Sequence, residues 1–485
     1  MIRKSIPFLL IAATLAGCTA GPDYAGPPEL AAAGGAGGFI RAGDKVSSTV
    51  PELAEWWILL DDPGLDRLIE AALADNPSLE AVGARIAQSR ASLAQESAGR
   101  LPSLGTQATA LQGRLPGLDI QDGPPLPPET PGMAQEEEDD TISFYNAGLN
   151  ANWEIDFGGG TGRRIEAANA QLAAAVANAE DARVQLTAEV ANAYVNLREA
   201  QQRAVLYRKQ SGLQKQIRAL TYQRYQQGTL PLFPVGNANA ELELLKSQLA
   251  EAEADEAVLL DALAVLTGRA PGAPSLEVAP IGEIPLPPER VAVGDPASLI
   301  ARRPDIRAAE RTLAAATARV GVAEAAKFPK LSFMGILGLG GTSPEDIFDV
   351  GEFSAIAIPR LQWNFLDFGR VDASIDRAGA ARREAAANYR QTVLAALQDA
   401  ERALARFAQQ RAALAALIQV KRHADKSADL NRQRFESGAI SRIDLNRTLR
   451  EQEKANTDLA RGRAALTLAW IAVQKSLGLG WQAPS

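Results

Sequence analysis

Two hydrophobic periods alternate along this chain. Residues 145–157 are apolar at every odd position and mostly Asn, Asp or Glu at the even ones, and residues 353–365 repeat the pattern less strictly. Alternation of this kind predicts β-strands with one apolar and one polar face. Residues 331–339 predict a shorter strand, and the stretch after Pro102 predicts a weaker one.

A helical period follows each of the two stronger strands. Apolar residues recur at steps of three and four over residues 165–207, and residues 397–417 carry a sparser version of the same stripe. Such spacing is typical of a heptad-like seam between helices. We therefore predict two long helices, over about 161–227 and 370–437, each roughly 100 Å long at 1.5 Å per residue.

Each long helix is expected to end at a glycine, after which the chain reverses. Gly228 and Gly438 suit the C′ position, where a left-handed backbone is common. A second helical stretch follows each glycine, over residues 237–267 and 444–477. The predicted result is two long antiparallel helical hairpins.

The two halves of the chain repeat each other. Four pairs of residues recur at matching places, namely Pro77 and Pro304, Pro102 and Pro329, Gly228 and Gly438, and Gly268 and Gly478. Two copies of so long a unit indicate a duplicated module rather than a short-period solenoid. The predicted organisation is a signal peptide (1–17), a lipidated N-terminal segment (18–75), a first repeat (76–271), a linker (272–302), a second repeat (303–480) and a C-terminal tail (481–485).

The N-terminus has the form of a bacterial lipoprotein signal. Arg3 and Lys4 precede a short apolar stretch that ends in Ala16-Gly17-Cys18, and Cys18 is the only cysteine. A lone thiol after small residues predicts covalent lipid attachment at Cys18, with no other cofactor. The alternative is an ordinary cleaved signal in which the cysteine is incidental.

The four predicted strands imply an oligomer. Strands of about ten residues with one apolar face can cross a bilayer, although a half-buried soluble sheet gives the same pattern. The lipoprotein signal and a polar face made of Asn, Gln and acids favour the membrane. Because a closed bacterial barrel needs about eight strands or more, one chain must share its barrel with other copies.

Composition and motifs argue against nucleic-acid binding and catalysis. Fifty Lys and Arg stand against 58 Asp and Glu, and the net charge of −8 offers no basic surface to phosphates. The Asp-Phe-Gly sequences at 156–158 and 367–369 lack the other kinase motifs. His423, the only histidine, has no neighbouring ligand cluster. We therefore expect no enzyme activity and no metal site.

Three further sequence motifs occur together, one near the N-terminus, one at the beginning of the second repeat and one shared by both repeats. They are Cys18-Thr19-Ala20-Gly21-Pro22-Asp23-Tyr24, Arg302-Arg303-Pro304-Asp305-Ile306, and the paired Trp153…Asp156-Phe157-Gly158 and Trp363…Asp367-Phe368-Gly369. With the duplication, they make the chain resemble the outer-membrane efflux proteins, the TolC-like family, and in particular its NodT-type lipoprotein branch. The resemblance covers essentially the whole mature chain.

This resemblance implies a fold, a location and a set of partners. The fold is mainly α with membrane β, in which four strands from each of three protomers form one 12-stranded transmembrane β-barrel. A trimeric α-barrel of long coiled-coil helical hairpins continues from it into the periplasm. The homotrimer sits in the outer membrane and docks onto a periplasmic adaptor, also called a membrane fusion protein, and an inner-membrane RND pump.

The resemblance also implies that the periplasmic gate and the adaptor contacts lie at the hairpin turns. Asp444 falls where related channels carry a constricting aspartate, and Arg442 and Arg447 are its candidate partners. The expected tip residues are Arg224, Gly228, Leu230, Val235, Arg434, Gly438, Ile440 and Leu445. Relatives often carry acids where this chain has Arg447 and Pro234, which leaves a two-ring acidic filter and an ion-paired constriction both open.

Asp444 has a second interpretation, as an acid at a helix N-terminus that stabilises the helix dipole. The two roles are compatible. The predicted function is the exit duct of a tripartite efflux pump, passively conducting small molecules or drugs. The alternatives are a duct for protein or polysaccharide secretion, which shares the architecture, and a periplasmic coiled-coil adaptor lipoprotein, which would not need the strands.

Overall fold

The computed structural model describes residues 20–28, 38–41, 46–51, 54–114, 141–272 and 282–481. The predicted lipid site Cys18 and the predicted signal peptide lie outside these residues. The described chain forms two compact units. The strand unit contains residues 20–25 and the described parts of Arg90–Ala170 and Ala314–Arg383, and the helical unit contains the other described residues.

The described residues form helices and strands that alternate along the chain. The helices are α1 (Pro63–Asp75), α2 (Pro77–Ala98), α3 (Gly160–Gln226), α4 (Phe233–Leu266), α5 (Pro296–Arg302), α6 (Pro304–Ala325), α7 (Arg370–Glu436) and α8 (Arg442–Ser476). The strands are β1 (Val46–Ser47), β2 (Ser103–Arg114), β3 (Thr141–Ile155), β4 (Val291–Ala292), β5 (Lys330–Gly341) and β6 (Phe353–Gln362). Short 3-10 helices cover Trp56–Leu60, Pro344–Phe348 and Val350–Glu352.

The strand unit is built on one antiparallel sheet in the order β2-β3-β5-β6. Its register places Leu149 opposite Leu337, Trp153 opposite Phe333, and Leu337 opposite Ala355. Directly opposite residues point to the same face of a sheet. The apolar positions of the predicted alternation therefore share one face, on which Leu149, Leu337 and the two aromatic rings are exposed. The four predicted strands are confirmed.

The helical unit is built from the predicted hairpins. Each of the four predicted helices is confirmed to within about one turn at both ends, and α3 and α7 have 67 residues each. In the first hairpin, Arg203 and Arg208 of α3 pair with Asp255 and Glu253 of α4, at 2.8 and 2.7 Å. Both pairs connect residues that the antiparallel arrangement of α3 and α4 places opposite each other.

The second hairpin is held in the same way by polar side chains. Asn431 of α7 donates to the Thr448 hydroxyl of α8 at 2.7 Å. Gln452 of α8 donates back to the Asp425 carboxylate of α7 at 2.8 Å. In both hairpins, polar side chains thus connect the two antiparallel helices.

The core of the helical unit surrounds Trp470, which is fully buried on α8. The Trp56 ring meets it edge-on, with 5.4 Å between the ring centroids. Leu65 and Ile69 of α1 are also fully buried in this core. The prediction of residues 18–75 as one lipidated segment includes neither α1 nor its place in the core.

A polar cluster lies beside this core. The Tyr194 hydroxyl is 2.8 Å from both carboxylate oxygens of Asp62, and Arg198 donates to that hydroxyl at 2.9 Å. Asp62 in turn accepts the Gly64 N–H at 2.9 Å and caps α1. Burial raises the pKa of Tyr194 to about 12.

Two features are absent from the described residues. No helix there is both long and apolar enough to cross a membrane. No group of three or more His, Cys, Asp or Glu in that part of the chain could hold a metal ion.

Candidate gate at the tips of the helical hairpins

The turn after α3 is a glycine cap. Gly228 adopts φ +69°. Its N–H donates to the Tyr225 carbonyl at 2.9 Å, and the Thr229 N–H donates to the Arg224 carbonyl at 3.0 Å. These two bonds form the Schellman pattern, which satisfies the last carbonyls of a helix. The predicted C′ position of Gly228 is confirmed.

The turn after α7 has the same geometry. Gly438 adopts φ +75° and donates to the Phe435 carbonyl at 3.0 Å, while the Ala439 N–H donates to the Arg434 carbonyl at 2.8 Å. A left-handed backbone is costly for any residue with a Cβ. Both hairpins therefore reverse at turns that favour glycine.

Asp444 lies in the first turn of α8 and closes that end of the helix. The Ser441 hydroxyl donates to Asp444 Oδ2 at 2.6 Å, and the Ser441 N–H donates to the same oxygen at 3.3 Å. The Asp444 N–H donates to the Ser441 hydroxyl oxygen at 3.3 Å, which completes a capping box. The hydrogen bond from the Ser441 hydroxyl is the main reason that the pKa of Asp444 is lowered. The carboxylate is therefore ionised at neutral pH.

The arginines near Asp444 divide into two groups. Attraction by Arg447 and Arg224 lowers the pKa of Asp444 further. Arg442 instead places its guanidinium 4.2 Å from the centroid of the Phe435 ring, a cation–π distance. Arg447 is thus near Asp444 as expected, Arg442 contacts the last turn of α7, and Arg224 was not foreseen as a partner.

Buried polar contacts join α8 to α3 behind the tips. Asn446 donates to Gln216 at 3.0 Å, and Arg450 donates to Gln214 at 2.7 Å. Arg450 also pairs with Glu241 of α4. Since Asn446 and Gln214 are buried, breaking these bonds would leave polar groups without water or partners. The contacts hold the beginning of α8 against the end of α3.

The predicted tip residues differ in exposure. Arg224, Gly228, Arg434 and Gly438 are exposed, and Leu230 and Ile440 are partly exposed. Val235 and Leu445 are buried at 5% and 4% exposure. Their side chains pack inside the chain, and the expected adaptor contact at these two positions stays a prediction.

Two exposed apolar residues lie within the predicted first tip, residues 230–235, although neither is among the contacts predicted by name. Leu232 is 60% exposed and Phe233 is 75% exposed. They stand between Pro231 and Pro234 at the beginning of α4. An apolar pair flanked by prolines in a turn is a signal that could have identified them.

Comparison with known proteins gives the family. The family model described as "Outer membrane efflux protein" matches residues 68–269 and 296–479. The chain belongs to the outer membrane efflux protein family. This efflux protein is 30% identical over 484 residues to the pyoverdine export outer membrane protein OpmQ of Pseudomonas putida, covering 95% of this chain and 94% of the relative.

Two further relatives bear on the branch and the fold. Nodulation protein T of Rhizobium leguminosarum bv. trifolii is 26% identical over 487 residues, which cover 99% of this chain and 97% of that protein. The solved structure of the outer-membrane channel OprN is similar at a TM-score of 0.80 and 30% identity, over 96% of this chain and 100% of that one. The predicted family and its NodT-type relatives are confirmed.

The efflux protein therefore has the mostly helical fold of the TolC-like outer-membrane channels. It is an efflux channel of the outer membrane and extends into the periplasm. Members of the family are channel proteins and need no cofactor. The predicted function and location are confirmed at this level.

Proposed function

We propose that this efflux channel is a homotrimer whose three four-stranded sheets close into one 12-stranded barrel. The observation that carries the proposal is the sheet itself, in which β2 and β6 are the edge strands. Unpaired edges of long strands are templates for pairing with another chain. Closure with two further copies satisfies both edges and reaches a strand number typical of bacterial barrels.

The exposed apolar face of the sheet supports a lipid environment for this barrel. Leu149 is 48% exposed and Leu337 is 45% exposed although they lie side by side. In water, such a continuous apolar face is unfavourable by about 25 cal/mol per Å². A barrel with this face outward would bury it in the hydrocarbon core.

The channel itself conducts passively and performs no catalysis, and the energy comes from an inner-membrane RND pump coupled through a periplasmic adaptor. Three relatives are named for the export of pyoverdine, toluene and cations. We take these names as support for small molecules or ions as the cargo. The exposed tip residues, including Phe233, form the adaptor contact in this proposal.

At the tip, the proposal makes the Asp444 carboxylates of three copies a ring around the axis. Like charges held close favour cation occupancy and oppose further narrowing unless arginines balance them. Arg447 and Arg224 are the balancing residues, since both already act on Asp444 within one chain. The constriction is therefore ion-paired rather than a two-ring acidic filter.

The trimer is tested by the mass of the purified protein in detergent, measured by native mass spectrometry with chemical cross-linking as a check. Three copies per particle are expected, together with gel migration that changes on heating. A protein that stays a single copy at micromolar concentration would contradict the proposal.

The gate is tested by leak conductance through purified protein in a planar bilayer. Asp444→Asn removes the charge but keeps an acceptor for Ser441, and we expect it to raise the leak, as Asp444→Ala should. Ser441→Ala is the matched control, because it removes the cap, at about 1 kcal/mol, and leaves the charge. Equal conductance in wild type and Asp444→Asn would remove Asp444 from the gate.

Lipid attachment is tested by growth with labelled palmitate. Wild type should incorporate label, and Cys18→Ala should not. Incorporation into the Cys18→Ala chain would refute the assignment of Cys18.

A further inference from the structure

The segment that follows the predicted lipid site is docked on the strand unit. We call residues 20–23 the N-terminal strap. The strap begins at Ala20, which is 8% exposed and whose N–H donates to the Gly158 carbonyl at 3.3 Å. A terminal segment without such ties would be expected to be poorly ordered.

Arg163, in the first turn of α3, is the residue that binds the strap. Its Nε donates to the Ala20 carbonyl at 3.0 Å, and its Nη2 donates to the Gly21 carbonyl at 3.1 Å and to Asp23 Oδ1 at 2.6 Å. Its Nη1 donates to Glu166 at 2.7 Å. Arg163 is only 5% exposed. A buried arginine that makes three of its four hydrogen bonds to the strap is a binding site for that segment.

The shape of the contact is as specific as its hydrogen bonds. Gly21 adopts φ +84°, and a Cβ there would lie 2.3 Å from the Cα of Gly321 on α6. A Cβ on Gly321 would lie 2.8 Å from the Ala20 carbonyl oxygen and 2.8 Å from Arg163 Cγ. The strap and α6 therefore approach each other at two glycines where neither can gain a side chain without a shift.

The docking site lies where β3 leaves the sheet. Gly158 follows β3 by three residues, and the neighbouring Phe157 ring is 46% exposed. The Trp153 indole, near the end of β3, donates to the Arg100 carbonyl at 3.0 Å and remains 39% exposed. Exposed aromatic rings at one end of a membrane sheet are typical of the lipid–water interface.

We propose that Arg163 is a positioning residue for the acylated N-terminus, holding the strap so that the lipid on Cys18 enters the membrane beside the aromatic end of the sheet. Only Thr19 separates Cys18 from Ala20, and the two residue steps between them reach at most about 7 Å. The partner is the phospholipid layer at that end of the sheet. This inference rests on the proposed acylation of Cys18.

The second repeat supports the assignment. Ala373 lies at the corresponding place in the first turn of α7, so the second repeat has no arginine at the position that matches Arg163. The chain has one predicted lipid site, Cys18, and Arg163 occurs in the repeat that follows this site.

The first test measures hydrogen exchange of residues 20–24 in the full-length acylated protein in detergent. Arg163→Lys keeps a charge but cannot bond three acceptors in the same geometry, and Gly321→Ala displaces the strap while favouring helix in α6. Each should speed exchange about tenfold or more, the scale of lost hydrogen bonds to a charged group. Arg164→Ala is the matched control, since Arg164 contacts Thr161 and Glu96 instead.

Exchange that is unchanged in both Arg163→Lys and Gly321→Ala would overturn the docking. Labelled palmitate is followed in the same samples. If wild type incorporates no label while the exchange pattern is as expected, the acylation proposal has failed, and with it the positioning role, although the docking stands.

The second test asks whether Arg163 acts through the lipid. Urea-unfolded protein is diluted into phospholipid vesicles, and insertion is followed by heat-sensitive gel migration. Arg163→Lys should slow insertion several-fold in the acylated protein. In a Cys18→Ser chain made without residues 1–17, adding Arg163→Lys should leave the insertion rate unchanged. An equal slowing in both backgrounds would mean that Arg163 acts only through the fold, which contradicts the positioning role.

Discussion

The two long helices are equal in length but differ in environment. Ala167 and Ala168, near the beginning of α3, are already buried, and so is Ala177 further along. On α7, the first buried residue is Tyr389, five turns into the helix. Duplication therefore produced one helix that the chain buries along its beginning and one whose beginning the chain leaves exposed.

The chemistry of matching positions differs as well. Tyr194 of α3 lies in the polar cluster with Asp62 and Arg198. The matching residue of α7 is Leu404, which is buried among apolar side chains at 2% exposure. The first copy therefore has a buried polar cluster where the second has a purely apolar contact.

The sharpest test of this difference is a charge at one matched pair of positions. Ala177 is 1% exposed, whereas the matching Ala387 is exposed. We expect Ala177→Glu to destabilise the fold by on the order of 3–5 kcal/mol, because it buries an unpaired charge. Ala387→Glu should change the free energy of unfolding by less than about 0.5 kcal/mol. Urea unfolding in detergent measures both.

Equal losses in the free energy of unfolding for Ala177→Glu and Ala387→Glu would contradict this difference between α3 and α7. They would show that the beginning of α7 is covered as completely in the assembled protein as α3 is within one chain.

A smaller effect is expected from the polar cluster. Tyr194→Phe removes hydrogen bonds to two charged partners, which should cost about 1–2 kcal/mol. The folded-state pKa of Tyr194 is about 12, above the usual value of about 10. The stability that this shift contributes is fully present below pH 10 and is lost as the pH rises toward 12.

The measurement is urea unfolding of wild type and Tyr194→Phe at pH 8 and at pH 11. The variant should lose less stability than wild type between these two values. A parallel pH dependence would show that Tyr194 does not ionise differently in the folded state.

The smallest effect, and one that should be equal in both copies, concerns the hairpin turns. Gly228→Ala and Gly438→Ala should each cost about 1 kcal/mol, because both glycines are left-handed and neither has a neighbouring atom that a Cβ would meet. The urea midpoint measures the cost. Clearly unequal losses would indicate that one turn is held by contacts outside its own chain.

Most of the elements could be predicted because their signals are periodic and local. The alternation in β3 and the glycine caps need no knowledge of distant contacts. Burial of Val235 could also have been found, since Val235, Ala238, Leu242 and Leu245 begin the buried stripe of α4 at helical spacing. The helix α1 carried its signals in Asp62 and Pro63, a cap followed by proline at the first helical position.

The tip was predicted less well, for two physical reasons. Arg442 is two residues from Asp444 on one helix, and side chains at that spacing do not face each other, whereas Arg447 is three residues away and does. Arg224 lies on another helix, and Arg163 meets the strap across more than a hundred residues. No local pattern contains such contacts, because the fold creates them.

The order of strands in the sheet has a consequence for inheritance. β2 belongs to the first sequence repeat and β6 to the second. In the proposed homotrimer, β2 of one protomer would therefore pair with β6 of the next, a heterologous contact that repeats until the ring closes. A molecule with a damaged β2 and a sound β6 could still recruit one neighbour but never complete the circle. Oligomers that include such a damaged chain together with intact chains would also fail to close. A mutation of this kind would therefore be dominant.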